Sequence, residues 1–191
     1  MTDHPDAGSC ELPNEGVPTD RSPHHPFRRG PFAWDGIPSG VYKTGEGSGT
    51  EMAWQGVARH TLAGAGSEPM AFELRYFEIA PRGYSSLEKH QHVHSIVVLQ
   101  GTGHVVIGSE VFTVSPFDLV YVPSGVPHQF VNDGAEPFGF LCPVDADRDH
   151  PQPLTEAELR DFLADPRVRD AVRGQRVLSE ESHGRTTRAA G

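Results

Sequence analysis

The sequence predicts an all-β protein, and three observations carry that expectation. Short runs rich in Val, Ile, Phe and Tyr recur through the middle of the chain. Gly and Pro are frequent, at 21 and 17 of 191 residues, and they fall between those runs. Helical signals are confined to a short stretch after residue 150, and there is no long internal repeat. Many short strands with such punctuation make a sandwich or a barrel.

Taken in order, residues 1–30 carry Pro, Gly, Asp, Glu and His with hardly an apolar pair, and read as a flexible arm. The adjacent His24 and His25 would point to opposite faces of an extended chain, so they read as surface residues. Aromatics begin at Phe32, Trp34, Tyr42 and Trp54, which implies a surface to pack against, and the barrel is expected over 31–150. Strands are expected at 55–62, 71–79, 87–94, 95–99, 104–107, 111–114, 119–122, 128–131 and 138–144. The turns between them include Ala80-Pro81-Arg82-Gly83, Ser115-Pro116-Phe117-Asp118 and Pro123-Ser124-Gly125-Val126-Pro127. Residues 151–174 change character. Thr155 with Glu158 forms a capping box, Leu159, Phe162 and Leu163 make an apolar face, and Pro166 restarts a second helical turn. Residues 175–191 read as a frayed tail.

Composition excludes several function classes. The formal net charge is -10 without a basic stripe, which disfavours nucleic acid and anionic membranes as partners. No apolar run approaches the roughly 20 residues that span a bilayer. The polar start does not resemble a signal peptide, so a cytoplasmic location is expected. Two cysteines, Cys10 and Cys142, make neither a disulfide framework nor a Cys-based zinc site.

The chemistry concentrates in Glu88-Lys89-His90-Gln91-His92-Val93-His94, answered by His128. On an extended strand, residues 88, 90, 92 and 94 share one face. Such a crowd of lone pairs is costly to bury unless it holds a cation, and imidazole is the commonest transition-metal ligand. The bland alternative is an exposed polar strand edge. His60 and His104 read as surface histidines. No nucleophile elbow, phosphate loop or dinucleotide-binding fingerprint competes in a strand-to-helix context.

Residues 83–132 resemble the two motifs of the cupin superfamily, small double-sheet jelly rolls also described as double-stranded β-helix barrels. Asp118, Pro123, Gly125, His128 and Asn132 match the second motif at the usual spacing, with Phe117 standing where cupins normally have Gly. The first motif, anchored on Gly101 and Gly103, departs further. Counting back from Gly101 puts His94 in the family's Glu position, His90 in the second His position and Glu88 in the first. A competing register pairs His90 with His92 and makes His94 the third ligand. In the first register His92 sits at the rim, as a support or an alternative ligand.

The resemblance implies a site of Glu88, His90, His94 and His128 holding a divalent transition metal, with Fe(II) or Mn(II) favoured and Ni, Zn or Cu possible. Glu88 is also a candidate catalytic base. The resemblance further implies pocket residues for a small-molecule substrate on the strands around 75 and 140, giving Phe77, Phe130, Phe140 and Cys142. Core packing is the plain alternative for each phenylalanine. Arg75 joins them because a buried guanidinium needs a partner, either a substrate carboxylate or Glu73 or Glu78. A homodimer is implied as well. The expected function is a metal-dependent enzyme acting on a small organic acid or enol-type metabolite, with oxygenative cleavage favoured. The alternatives are a redox-neutral lyase, decarboxylase or isomerase, and a cupin that binds a metal or metabolite without turnover.

Overall fold

The computed structural model describes residues 22–40, 42–43, 46–47, 52–64, 68 and 70–174. Cys10, the first 21 residues and the tail from 175 lie outside them. The first described strands form a short hairpin, β1 (Phe27–Arg28) and β2 (Ala33–Trp34), which straddles the boundary at residue 30 between the expected arm and the expected barrel. Its order has a plain cause. Phe27, Phe32 and Trp34 form one ring cluster, and Phe32 stacks on Tyr76 of the main sheet with centroids 5.4 Å apart.

The remaining strands form one antiparallel sheet that curls around the core. They are β3 (Glu46–Gly47), β4 (Trp54–Ala63), β5 (Phe72–Tyr84), β6 (His94–Gln100), β7 (Gly103–Ile107), β8 (Glu110–Val114), β9 (Leu119–Val122), β10 (His128–Val131) and β11 (Phe138–Asp145). The pairing order is β8-β7-β10-β5-β11-β6-β9, with β4 also on β5 and β3 on β4. Alternation decides what faces inward. Val57, Ile79, Ile96, Val98, Val105, Val120, Phe138 and Phe140 all join one core cluster. The all-β jelly-roll expectation is borne out.

Strand β7 carries apolar residues on both faces, so its outer face needs a cover. Helices α1 (Glu156–Phe162) and α2 (Pro166–Ala171) supply it. Val168 and Val172 close over Val106, with Phe162 and Leu163 around them. The expected capping box is present, Thr155 accepting from Glu158 N–H while the Glu158 carboxylate accepts from Thr155 N–H. Gln129, fully buried, clamps this cover to the barrel. Its amide donates to Ser85 O and Arg173 O and accepts from Arg173 N–H at 2.8 Å. Among the described residues no helix is long and apolar enough to cross a membrane.

Two details differ from the sequence expectations, and a third bears on a departure from the motif. Residues 87–94 are not a continuous strand. Glu88 and Lys89 make isolated bridges to His128 and Gln152, and the chain then bends at Gln91 and His92 before β6 begins at His94. The one-face alternation expected for 88, 90, 92 and 94 therefore fails. The reason is a competing hydrogen bond: Asp149 accepts from the Gln91 and His92 N–H groups, which a ladder would otherwise use. Second, His60 is buried, its ring 5.6 Å from that of Tyr76. Third, Phe117 adopts φ +76°. This is the left-handed conformation that favours Gly, which explains why Gly is usual at that place in the motif.

Candidate metal centre

Three histidines converge at one end of the barrel. His128 starts β10, His94 starts β6, and His90 sits on the bent segment between Glu88 and β6. One nitrogen from each lies within 4.8 Å of the others. The ring of His90 stands at 87° to that of His94 and 76° to that of His128, so their edges can point toward one centre.

The hydrogen bonds fix which nitrogens are free. His90 Nδ1 lies 2.7 Å from His92 O, and His128 Nδ1 lies 3.0 Å from Val126 O. A carbonyl only accepts, so both Nδ1 atoms carry the proton and both Nε2 atoms keep a lone pair. His94 Nδ1 lies 3.2 Å from Cys142 Sγ, a contact in which either the imidazole or the thiol can donate. His90 Nε2 is buried with no hydrogen-bond partner, a costly state unless another ligand takes its lone pair.

Electrostatics agree. Burial, reinforced by His128 and His90, pushes the His94 pKa down to about 2. Burial likewise pushes His128 down to about 4, and it lowers His90. All three imidazoles are neutral at neutral pH, the form that ligates a metal. The donor set suits a divalent transition metal.

His92 lies outside this group for a geometric reason. Its ring stacks on His90 at 3.6 Å with 5° between planes. A lone pair lies in the plane of its ring, so two parallel rings cannot both aim at one ion. The structure thus keeps His92 beside the cluster, its Nδ1 2.7 Å from Asp149 Oδ1. That contact and the Gln91 N–H hold the Asp149 carboxyl well below the usual carboxylate range. Glu88 is near but engaged elsewhere. Its carboxylate meets the Ser86 hydroxyl and lies 3.6 Å from Lys43 Nζ. Of the four residues expected as ligands, the structure brings together His90, His94 and His128, and leaves Glu88 on the pocket wall.

His94 and His128 of the cluster, with His92 beside them, line a cavity of about 500 Å³. Arg75, Phe77, Phe130, Phe140 and Cys142, the residues expected at the pocket, all line it. Phe140 stacks between Phe77 and Phe130, with centroids at 5.7 and 4.8 Å. These rings are pocket floor and core at once. Buried Arg75 resolves toward Glu73, donating to it through Nε and Nη2, and Arg148 reaches the same carboxylate at 3.4 Å. Burial pushes the Cys142 thiol up to about 12.

The cupin domain family matches residues 75–144. The chain is 42% identical over 149 residues to 1-methylthio-D-xylulose 5-phosphate methylsulfurylase of Rhodospirillum rubrum, covering 78% of this chain and 91% of that one. The chain is a cupin. Solved structures agree with this assignment. A cupin-2 domain protein of Rhodospirillum rubrum superposes with a TM-score of 0.65 at 39% identity, over 73% of this cupin and 92% of that chain. A cupin 2 conserved barrel domain protein of Rhodopseudomonas palustris gives 0.69 at 33%, over 77% and 97%.

Sequence reasoning missed Asp149, Lys43, Arg59 and Arg148, which line this cupin's pocket as well. Asp149 is 57 residues from His92 in sequence and sits in a polar segment with no periodicity, so only folding reveals the pair. Arg59 lies two residues after buried Val57 on β4, on the same face of the strand, and was open to a strand-face reading.

Proposed function

We propose that this cupin is a metal-dependent enzyme that cleaves a carbon–sulfur bond in a small phosphorylated methylthio-ketose. The observation that carries the reading is the three-histidine cluster, two of whose members, His94 and His128, line a cationic pocket, in a chain 42% identical to a methylsulfurylase along nearly that protein's full length. In a 1-methylthio ketose the sulfur-bearing carbon is adjacent to the carbonyl. A thiol can take the methylsulfanyl group, with the carbon–sulfur electron pair left on carbon as an enolate. That carbon then takes the proton from the thiol. Thiol plus thioether thus gives a disulfide and a methyl ketone, with atoms and electrons balanced.

A bound metal would supply positive charge at the developing enolate oxygen, and His90, His94 and His128 would hold it. Within this proposal the metal is Fe(II) or Mn(II) before Ni, Zn or Cu, an order that comes from the family resemblance, since imidazole ligands by themselves admit all of them. The protein's own residues do the rest. Phe77, Phe130 and Phe140 exclude water behind the site, and Ser86 with Lys43 keeps the Glu88 carboxylate on the wall.

The test is to load the purified protein with each metal and supply 1-methylthio-D-xylulose 5-phosphate with a small thiol. Mass spectrometry should show loss of the methylthio group and a mixed methyl disulfide, without O2 uptake. Turnover that consumes O2 would restore the oxygenative reading. Binding of the sugar phosphate without turnover under any metal would leave a non-catalytic cupin.

A further inference from the structure

The charged residues of the pocket do not balance. Four cationic side chains line it, Lys43, Arg59, Arg75 and Arg148, against three carboxylates, Glu73, Glu88 and Asp149. Each carboxylate is already engaged. Glu73 serves Arg75 and Arg148, Glu88 faces Lys43, and Asp149 is held by His92 and two backbone N–H groups. Among the described residues Arg59 alone of these four has no carboxylate partner. The surplus is notable in a chain of net charge -10.

Arg59 is nevertheless held in place. Its guanidinium carbon sits 4.6 Å from the centroid of Tyr42, and Tyr42 packs edge-on against Phe77 at 5.8 Å. The aromatic ring occupies one face of the guanidinium plane and leaves its N–H edges for another partner. Strand position places Arg59 away from the histidines. Arg59 pairs with Phe77 across β4 and β5, Phe77 with Phe140 of β11, and Phe140 with Val98 of β6, the strand that His94 begins. Arg59 is thus three strand spacings, roughly 14 Å, from Val98 along the curled sheet, and His94 lies four residues before Val98 on that strand.

We propose that Arg59 is the phosphate-binding residue of this pocket, receiving a phosphate monoester through its N–H fork while the other end of the substrate lies at the histidines. The inference rests on the reading of the substrate as a phosphorylated ketose. Arg75 and Arg148, sharing the Glu73 carboxylate, add positive potential to the pocket but spend donors on that pairing. A phosphate accepts two parallel N–H bonds from one guanidinium, which an ammonium cannot offer.

The experiment uses the metal-loaded full chain with inorganic phosphate as probe, in wild type, Arg59→Gln and Arg59→Lys. Titration calorimetry should show phosphate binding weakened about tenfold or more in Arg59→Gln and less in Arg59→Lys. Metal content and melting temperature serve as controls and should not move. With the methylthio-ketose phosphate, KM should rise in Arg59→Gln with kcat little changed. Phosphate affinity equal in wild type and Arg59→Gln would overturn the proposal, as would affinity that vanishes only on metal removal. Loss of phosphate binding in Arg59→Gln without turnover of the methylthio sugar in wild type would uphold Arg59 and reject the carbon–sulfur reading. Turnover with KM unchanged in Arg59→Gln would do the reverse.

Discussion

His128 and His90 reach the same cluster by different means. His128 is part of β10, where four consecutive residues pair with β7 and the backbone of His128 exchanges two hydrogen bonds with Glu88. His90 sits on a bent segment, its carbonyl accepting from Gly125 N–H at 2.7 Å. The bend beyond it is pinned from outside by Asp149. The strand histidine is positioned by the ladder itself. The loop histidine depends on a side chain 57 residues further along the chain from His92. One position is local and the other is borrowed, so they should fail differently.

The largest effect should come from deleting the ladder-held ligand. His128→Ala should remove stoichiometric metal, read by elemental analysis on freshly purified protein, and abolish activity with it. Glu88→Gln should weaken metal binding much less, because the Glu88 carboxylate meets Ser86 and Lys43 rather than the three nitrogens. Equal losses in the two variants would return Glu88 to the ligand set.

Next in size is the outside pin. Asp149→Ala should lower metal affinity by about 10- to 100-fold while the protein stays folded. His92→Phe keeps the stack on His90 and should retain metal nearly as wild type. A His92→Phe variant that purifies without metal would show that His92 ligates after all.

Acid should act on the cluster as a whole. The folded pKa values of His90, His94 and His128 are depressed, so below their unfolded value near 6.5 the unfolded chain binds more protons than the folded one. Their contribution to stability is fully present above pH 6.5 and is lost as pH falls, through about 4 for His128 and toward 2 for His94. The metal-free protein should show a melting temperature that drops between pH 7 and pH 5. His128→Ala should flatten that slope. An unchanged slope in His128→Ala would mean that other groups set the acid response.

The smallest effects lie far from the site. Thr155→Ala removes one capping hydrogen bond and should cost about 1 kcal/mol in denaturant titration. Phe117→Gly relieves a left-handed residue and should stabilise the protein by about 1 kcal/mol. Phe117 is exposed at 82%, so little packing is lost to offset that gain.

Much of this was legible in one dimension. Alternating apolar runs and Gly/Pro turns specify antiparallel strands because side-chain direction alternates with every residue. The capping box and Pro166 mark the helices because they satisfy or remove N–H groups that no helix can use itself. A crowd of metal-binding side chains between 88 and 94 was legible from residue type, and the choice of 90, 94 and 128 came with the resemblance to the cupin motifs. What only the tertiary structure decided is how those residues aim. The bend at Gln91 and His92 exists because Asp149 outcompetes a strand ladder for two N–H groups. The bend puts His92 parallel to His90 and so outside the cluster. Glu88 went to Ser86 and Lys43, and Arg75 to Glu73, by contacts whose partners the strand pattern leaves open. Strand period is a property of a few neighbouring residues, whereas ring orientation and charge pairing are settled by whichever distant partner the fold brings within hydrogen-bonding reach.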